Sequence, residues 1–195
     1  MSALISIYDT LVRLADRVTR GWFFGLFARF TFASVLYFYF LNSAKTKVGD
    51  GLLGFFSVSD NAYYQIALPA VEAAGGDVSQ VAFFPWTLVV VAGTYAEFVL
   101  PLLIIAGLFT RIASVGMIVF IAVQSYVDIA VHQVGAKTVG AMFDRFSDGL
   151  IADQRLLWIF LLVYLAVRGA GALSIDRLLT ARRESNRPPQ ANVAI

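Results

Sequence analysis

Two carboxylates and the only histidine are the side chains of this sequence best suited to acid–base chemistry. Glu97 lies inside a long apolar segment, where an ionisable group is costly and calls for an explanation. Gln124, Asp128 and His132 follow one another at intervals of four residues, so a helix places them on one face. A carboxylate, an imidazole and an amide on one face can bind a polar head group or relay protons to it. We therefore predict Glu97, Asp128 and His132 as catalytic candidates and Gln124 as a ligand contact.

Polar side chains on the first apolar segment are further candidates for ligand contact. Arg29 lies inside that segment, and its axial offset from Glu97 is about 6 Å at a rise of about 1.5 Å per residue. An arginine side chain covers that distance, so the sequence predicts an ion pair between Arg29 and Glu97. Asn42 and Lys45 leave the segment at the level of His132, and we predict both, together with Arg29, as ligand contacts.

A structural role is the alternative for each group. The predicted pair between Arg29 and Glu97 either fixes the register of two helices or leaves Glu97 to exchange protons or contact a bound quinone. Asp128 and His132 either act on a ligand or only cap the helices at the membrane boundary. The residues alone leave these alternatives open.

The scarcity of metal-binding and thiol side chains excludes several classes of redox protein. The chain has no cysteine, which rules out disulfides, thiol chemistry and thiolate metal sites. It has one histidine, so neither bis-histidine haem ligation nor a three-histidine site fits within one chain, and no metal site is predicted. A redox role must therefore use an organic ligand, such as quinone, or a partner protein. A net charge of +2 gives no indication of nucleic-acid binding.

The composition indicates an integral membrane protein. Hydrophobic residues make up 59% of the chain and charged residues 14%, which is too few charges to coat a surface that faces water. Four apolar segments, 22–41, 86–109, 112–132 and 155–173, approach the length of about 20 residues that a bilayer requires. Only Thr110 and Arg111 link the second and third segments, so these helices are expected to be antiparallel neighbours. The predicted fold is an all-α, integral membrane four-helix bundle within residues 22–180.

The two ends of the chain carry different patterns. Residues 1–21 have an apolar stripe opposite a charged face, which predicts an amphipathic helix on the cytoplasmic membrane surface. The alternative is a cytosolic helix packed on the bundle. The stripe comprises Leu4, Ile7, Tyr8, Leu11, Leu14, Ala15 and Val18. Residues 181–195 are polar and contain consecutive prolines, so we predict a disordered cytoplasmic tail.

The distribution of basic residues predicts the orientation. Cytoplasmic loops carry an excess of lysine and arginine. The side that holds both termini and the short turn has nine basic residues, Arg13, Arg17, Arg20, Arg111, Arg168, Arg177, Arg182, Arg183 and Arg187. The other side has five, Lys45, Lys47, Lys137, Arg145 and Arg155. We therefore predict that both termini are cytoplasmic.

Three stretches of the sequence resemble the DoxX family of small membrane proteins. They are ARFTFASVLYFYFLNSAK at 28–45, AEFVLPLLIIAGLFTR at 96–111 and GAGALSIDRLL at 169–179. With the intervening segments they cover most of residues 22–179. The resemblance implies a four-helix membrane bundle. It carries over Arg29, Lys45, Glu97 and Arg111 as motif residues, and Arg111 thereby joins the predicted ligand contacts.

The resemblance implies two classes of function. Some DoxX proteins are the membrane subunit of a thiosulfate:quinone oxidoreductase, and others associate with redox-stress or thiol-homeostasis complexes. Residues 125–132 and 141–158 are similar to a bacterial subgroup that is encoded beside enzymes making modified copper-binding peptides. The first hypothesis is a quinone-interacting subunit, or a membrane anchor, of a redox system in a bacterial inner membrane. The second is a non-catalytic scaffold or accessory for a partner complex, such as a peptide-biosynthesis pathway.

Overall fold

The structure is a computed structural model that describes residues 2–51 and 53–185. Helices make up 76% of these residues, and their one β-type pairing is an isolated bridge between Val48 and Val58. This confirms the all-α class. The α-helices are α1 (Ser2–Thr19), α2 (Phe23–Val35), α3 (Tyr37–Lys45), α4 (Asp60–Ile66), α5 (Leu68–Ala73), α6 (Leu88–Ala106), α7 (Thr110–Tyr126), α8 (Ala136–Val139), α9 (Arg155–Arg168) and α10 (Ile175–Ser185).

Three helical stretches are long and apolar enough to cross a membrane: Phe83–Ala106, Thr110–Val131 and Leu150–Arg168. Each stretch extends its α-helix by one wide helical turn, which precedes α6, follows α7 and precedes α9. Helices α2 and α3 bend by 42° at their junction and would form a fourth crossing if the pair is one span. The predicted apolar segments therefore exist as helices, and their ends differ from the predicted ones.

Glycines decide where two of these helices end. Gly107 adopts the left-handed conformation (φ 69°, ψ 39°), so α6 stops at Ala106 and not at the predicted 109. Gly169 has φ 79°, which other residues rarely adopt, so α9 stops at Arg168 and not at 173. Hydropathy alone predicts helices that continue beyond both glycines, because the residues that follow them are also apolar.

The long helices pack around a main apolar core, and Ala62, Ala67 and Val90 form a second, smaller cluster. Helix α7 contacts both α6 and α9, α2 contacts α9 and α6, and α3 contacts α6. The core includes Phe32, Phe40, Ile104, Met117 and Leu162, all with no exposed surface. Only 22–28% of the residues in the most apolar part of each long helix are buried, so most of their apolar side chains face outward.

We call the end of the molecule that carries α1, the α6–α7 turn and α10 the tail end, and the opposite end, with residues 46–87 and 132–154, the loop end. At the tail end, the carboxylate of Asp176 accepts hydrogen bonds from the backbone N–H groups of Phe109 (2.7 Å) and Thr110 (3.0 Å). Phe109 has φ 48°, an uncommon value for a bulky residue. Asp176 thus caps the start of α7 and holds the short turn in place.

Helix α1 does not pack its apolar stripe on the other helices. Leu4, Tyr8 and Leu11 are 60–73% exposed, so the predicted alternative of a helix packed through this stripe is wrong. At the other end of the chain, residues 181–185 belong to α10, which the sequence did not predict. The rest of the predicted disordered tail, 186–195, lies outside the described residues.

Candidate ligand site

A cavity of about 560 Å³ lies towards the loop end, between α6 and α7 and beside the ends of α3 and α4. Its polar lining comes from side chains on four separate parts of the chain: Ser43, Lys47, Gln65, Glu97, Gln124, Asp128 and His132. The rest of the wall is apolar and includes Val89, Leu100, Val119, Phe120 and Val123. The predicted residues Glu97, Gln124, Asp128 and His132 therefore meet in one place.

A buried ion pair forms one side of this cavity. Lys47 Nζ lies 3.0 Å from both Oε1 and Oε2 of Glu97, and the two side chains are 4% and 3% exposed. The same ammonium group donates to Ser43 Oγ at 2.7 Å. A buried charge pair is tolerated only when its hydrogen-bonding groups find partners, and here the ammonium and both carboxylate oxygens do.

The predicted ion pair between Arg29 and Glu97 is wrong. Arg29 Nη1 donates to the backbone carbonyl of Ile105 at 2.9 Å, and Nη2 donates to the carbonyl of Leu173. Those carbonyls lie at the tail end, where α6 finishes and the chain returns after α9. The axial offset predicts how far apart Arg29 and Glu97 are along the helix axes. It does not give the rotation of α2 about its axis, which directs Arg29 away from Glu97.

A second ion pair joins α7 to α9 at the edge of the cavity. Arg155 Nη2 lies 2.6 Å from Asp128 Oδ2, and Nη1 donates to Ser125 Oγ at 2.9 Å. Arg155 is 1% exposed, whereas the side chain of Asp128 is 25% exposed and lines the cavity. The sequence analysis counted Arg155 among the basic residues on the side opposite the termini; the structure makes it the buried partner that neutralises Asp128.

Gln124 and His132 leave hydrogen-bonding capacity unused on the cavity wall. Gln124 Nε2 donates to the Tyr39 hydroxyl at 3.2 Å, while its buried Oε1 has no partner among the described residues. His132 Nε2 lies 2.9 Å from the backbone carbonyl of Gln65. A carbonyl only accepts, so Nε2 carries the proton and, in the neutral ring, Nδ1 is an acceptor.

Four predicted ligand contacts lie away from the cavity, and Arg29, which binds carbonyls at the tail end, is one of them. Asn42 and Lys45 are exposed, and neither lines it. Arg111 is exposed at the tail end, where its guanidinium lies beside Gly169. The sequence analysis chose Lys45 because it follows the apolar segment at the level of His132, but the chain turns at Thr46 and directs Lys47 inward.

Comparison with known proteins adds no assignment. No protein-family model, no curated protein and no solved structure matches the chain.

Proposed function

We propose that this chain is a four-span integral membrane protein that binds an amphipathic, quinone-like ligand in the cavity between α6 and α7. The observation that carries the proposal is the composition of that cavity, which has charged and hydrogen-bonding groups from Lys47 to His132 against apolar walls. Val119 and Val123 line it and are more than half exposed, so it reaches the outward apolar surface. A ligand dissolved in lipid would enter there without crossing water.

The polar groups suit a head group that changes between carbonyl and hydroxyl forms. Quinone carbonyls accept hydrogen bonds, which the N–H of Gln124 Nε2 that Tyr39 does not use can donate. Quinol hydroxyls donate hydrogen bonds, which His132 Nδ1 and the carboxylate of Asp128 can accept. Asp128 and His132 are partly or fully exposed, so protons can pass between them and solvent. The two electrons of quinone reduction would come from a partner protein, which fits a role as a subunit or membrane anchor of a redox system.

The resemblance to the DoxX family supports the same proposal. The motif residue Glu97 lies on the cavity wall, and Asp176 of the third stretch caps the turn that belongs to the second stretch. Apolar outward faces on α6, α7 and α9 support membrane embedding. We place the protein in a bacterial inner membrane with the tail end cytoplasmic, because that side has more basic residues. Reporter fusions at the two termini test this, and reporters on opposite faces would refute four crossings.

A matched pair of substitutions on α7 tests ligand binding without disturbing either ion pair. Val123 and Val115 are 51% and 52% exposed on the same helix, but only Val123 lines the cavity. Val123→Trp should fill the space and weaken binding of a quinone analogue by at least about tenfold, equivalent to about 1.4 kcal/mol. Val115→Trp should bind as the wild type does. Calorimetric titration of purified protein in lipid nanodiscs measures both.

Two results would reject the quinone proposal. One is a ligand-free wild-type preparation that takes up no quinone analogue at any accessible concentration. The other is equal affinity of the Val123→Trp and Val115→Trp variants, because this would place any binding outside the cavity.

A non-catalytic scaffold is the second candidate, and exposed apolar side chains at the loop end favour it. Phe143 is fully exposed, and Met142 and Phe146 are about 60% exposed, in the connection between α8 and α9. Such a cluster suits contact with a redox or peptide-biosynthesis partner. A stoichiometric complex that is lost in Phe143→Ser/Phe146→Ser but retained in Val123→Trp would support this role. Retention of the complex in the double variant would oppose it.

A further inference from the structure

A second cavity, of about 980 Å³, lies at the tail end between α2 and α9. Asp16 and Thr19 in the last turn of α1 border it, as does Arg20, the residue that follows α1. It shares no lining residue with the candidate ligand site. We call it the tail-end groove.

The two ends of the tail-end groove differ in chemistry. Arg20 and Arg168 line one end of the groove, and both are exposed. Neither has an ion-pair partner within 4 Å in the described part of the chain. Asp16 is the one acidic residue of the lining, so the charged lining has a net charge of +1 (two arginines minus one aspartate). Arginine is well suited to phosphate because its guanidinium donates two parallel hydrogen bonds.

Away from the arginines, the groove is apolar and elongated. Phe24 and Phe27 line it from α2, and Phe160 and Leu161 line it from α9. Phe160 lies eight residues before Arg168 on α9, a distance of about 12 Å along the helix axis. Phe24, Phe27 and Phe160 are all more than half exposed, so the groove is open to the surroundings of the helices.

Helix α1 places the charged end of the groove at the level of a membrane surface. Its apolar stripe is exposed, which suits a helix lying in the interface with that stripe towards the acyl chains. Trp22 follows α1 and lines the groove, and tryptophan is enriched at the same depth. Arg20 and Arg168 then lie among the lipid phosphates.

We propose that the tail-end groove binds one anionic phospholipid, with its phosphate between Arg20 and Arg168 and an acyl chain along Phe24, Phe27 and Phe160. Basic pockets between membrane helices on the cytoplasmic side favour anionic lipids. The inference rests on the proposed membrane embedding, but it does not depend on the ligand of the other cavity. The bound lipid joins α1 to α2 and α9 and fixes the tail end relative to the membrane.

The test measures lipid affinity by native mass spectrometry and thermal stability of the delipidated full chain in detergent. The added probes are phosphatidylglycerol, phosphatidylcholine with the same acyl chains, and inorganic phosphate. Phosphatidylglycerol should bind and raise the melting temperature, whereas the same concentrations of phosphatidylcholine or inorganic phosphate should do neither. Inorganic phosphate as effective as phosphatidylglycerol, or equal binding of the two lipids, would overturn the proposal.

Charge-matched double variants locate the site. Arg20→Gln/Arg168→Gln should weaken phosphatidylglycerol binding about 30-fold, which is about 2 kcal/mol at 1.4 kcal/mol per tenfold. Arg182→Gln/Arg183→Gln removes the same charge from exposed positions of α10 and should bind as the wild type. Arg20→Lys/Arg168→Lys keeps the charge but not the parallel hydrogen bonds, so its affinity should lie between those of the wild type and the glutamine variant, which separates loss of the site from misfolding.

The variants also separate this inference from the proposed function. Arg20→Gln/Arg168→Gln should keep the quinone-analogue affinity of the wild type, and Val123→Trp should keep its phosphatidylglycerol affinity. Equal lipid binding by the two glutamine double variants would refute the tail-end site while leaving the quinone proposal standing.

Discussion

Removing the ammonium group of Lys47 should destabilise the protein severely, because the buried carboxylate of Glu97 would lose the partner of both its oxygens. Lys47→Met retains most of the side-chain volume and removes the partner of both carboxylate oxygens. Breaking a buried pair in this way costs about 3–5 kcal/mol. For a chain of this size each kcal/mol lowers the melting temperature by about 2–4 °C, so the expected loss is about 6–20 °C.

The double variant distinguishes a broken ion pair from a general packing defect. Lys47→Met/Glu97→Gln has no buried charge, and replacing a buried pair by neutral groups of similar size is often close to neutral. We expect it to recover at least about 2 kcal/mol relative to the sum of the two single variants. Unfolding of detergent-purified protein, followed by circular dichroism, gives all the values of this double-mutant cycle.

Lys45 provides the matched control, since it lies two residues away and is exposed. Lys45→Met should change the free energy of unfolding by less than about 0.5 kcal/mol. The reasoning fails if Lys47→Met is as stable as Lys45→Met. It also fails if the double variant is no more stable than the sum of its single substitutions predicts.

Two further predictions concern the tail end and are measured by the same unfolding assay. Asp176→Ala removes the acceptor for two backbone N–H groups at the start of α7 and should lower the free energy of unfolding by about 1–3 kcal/mol. Asp148→Ala, at an exposed loop position, should leave that free energy unchanged. Equal effects of the two substitutions would refute the capping role. Gly25→Ala would place a Cβ 2.6 Å from the backbone oxygen of Ala170 and should lower the free energy of unfolding by about 1–3 kcal/mol. The Cβ of Gly135→Ala would meet nothing within 4 Å, so this control should be as stable as the wild type. A stable Gly25→Ala variant would show that the close approach of Gly25 to Ala170 is not required.

The cavity and its buried ion pair are linked, which affects how binding experiments are interpreted. Glu97→Gln should weaken both ligand binding and folding, because Glu97 lines the cavity and also neutralises Lys47. A loss of affinity in that variant therefore has two causes. Val123→Trp changes only the shape of the cavity wall, so its effect on ligand affinity is the cleaner measurement.

Hydropathy along the chain determined the helical class and the approximate position of each apolar helix. These features follow from local rules: an apolar run favours a helix whose backbone groups bond to one another. The intervals between Gln124, Asp128 and His132 were also informative, because side chains four residues apart on a helix share a face. The structure places these three side chains on one cavity wall together with Glu97.

Tertiary structure alone decided which charges meet. The turn at Thr46 directs Lys47, and not Lys45, onto Glu97, and the return of the chain after α9 supplies the carbonyl that binds Arg29. Arg155 points inward to Asp128 although its place at the start of an apolar segment resembled an interfacial position. Periodicity gives the face of a helix that a residue occupies, but the partner on that face depends on how neighbouring helices bend, rotate and end.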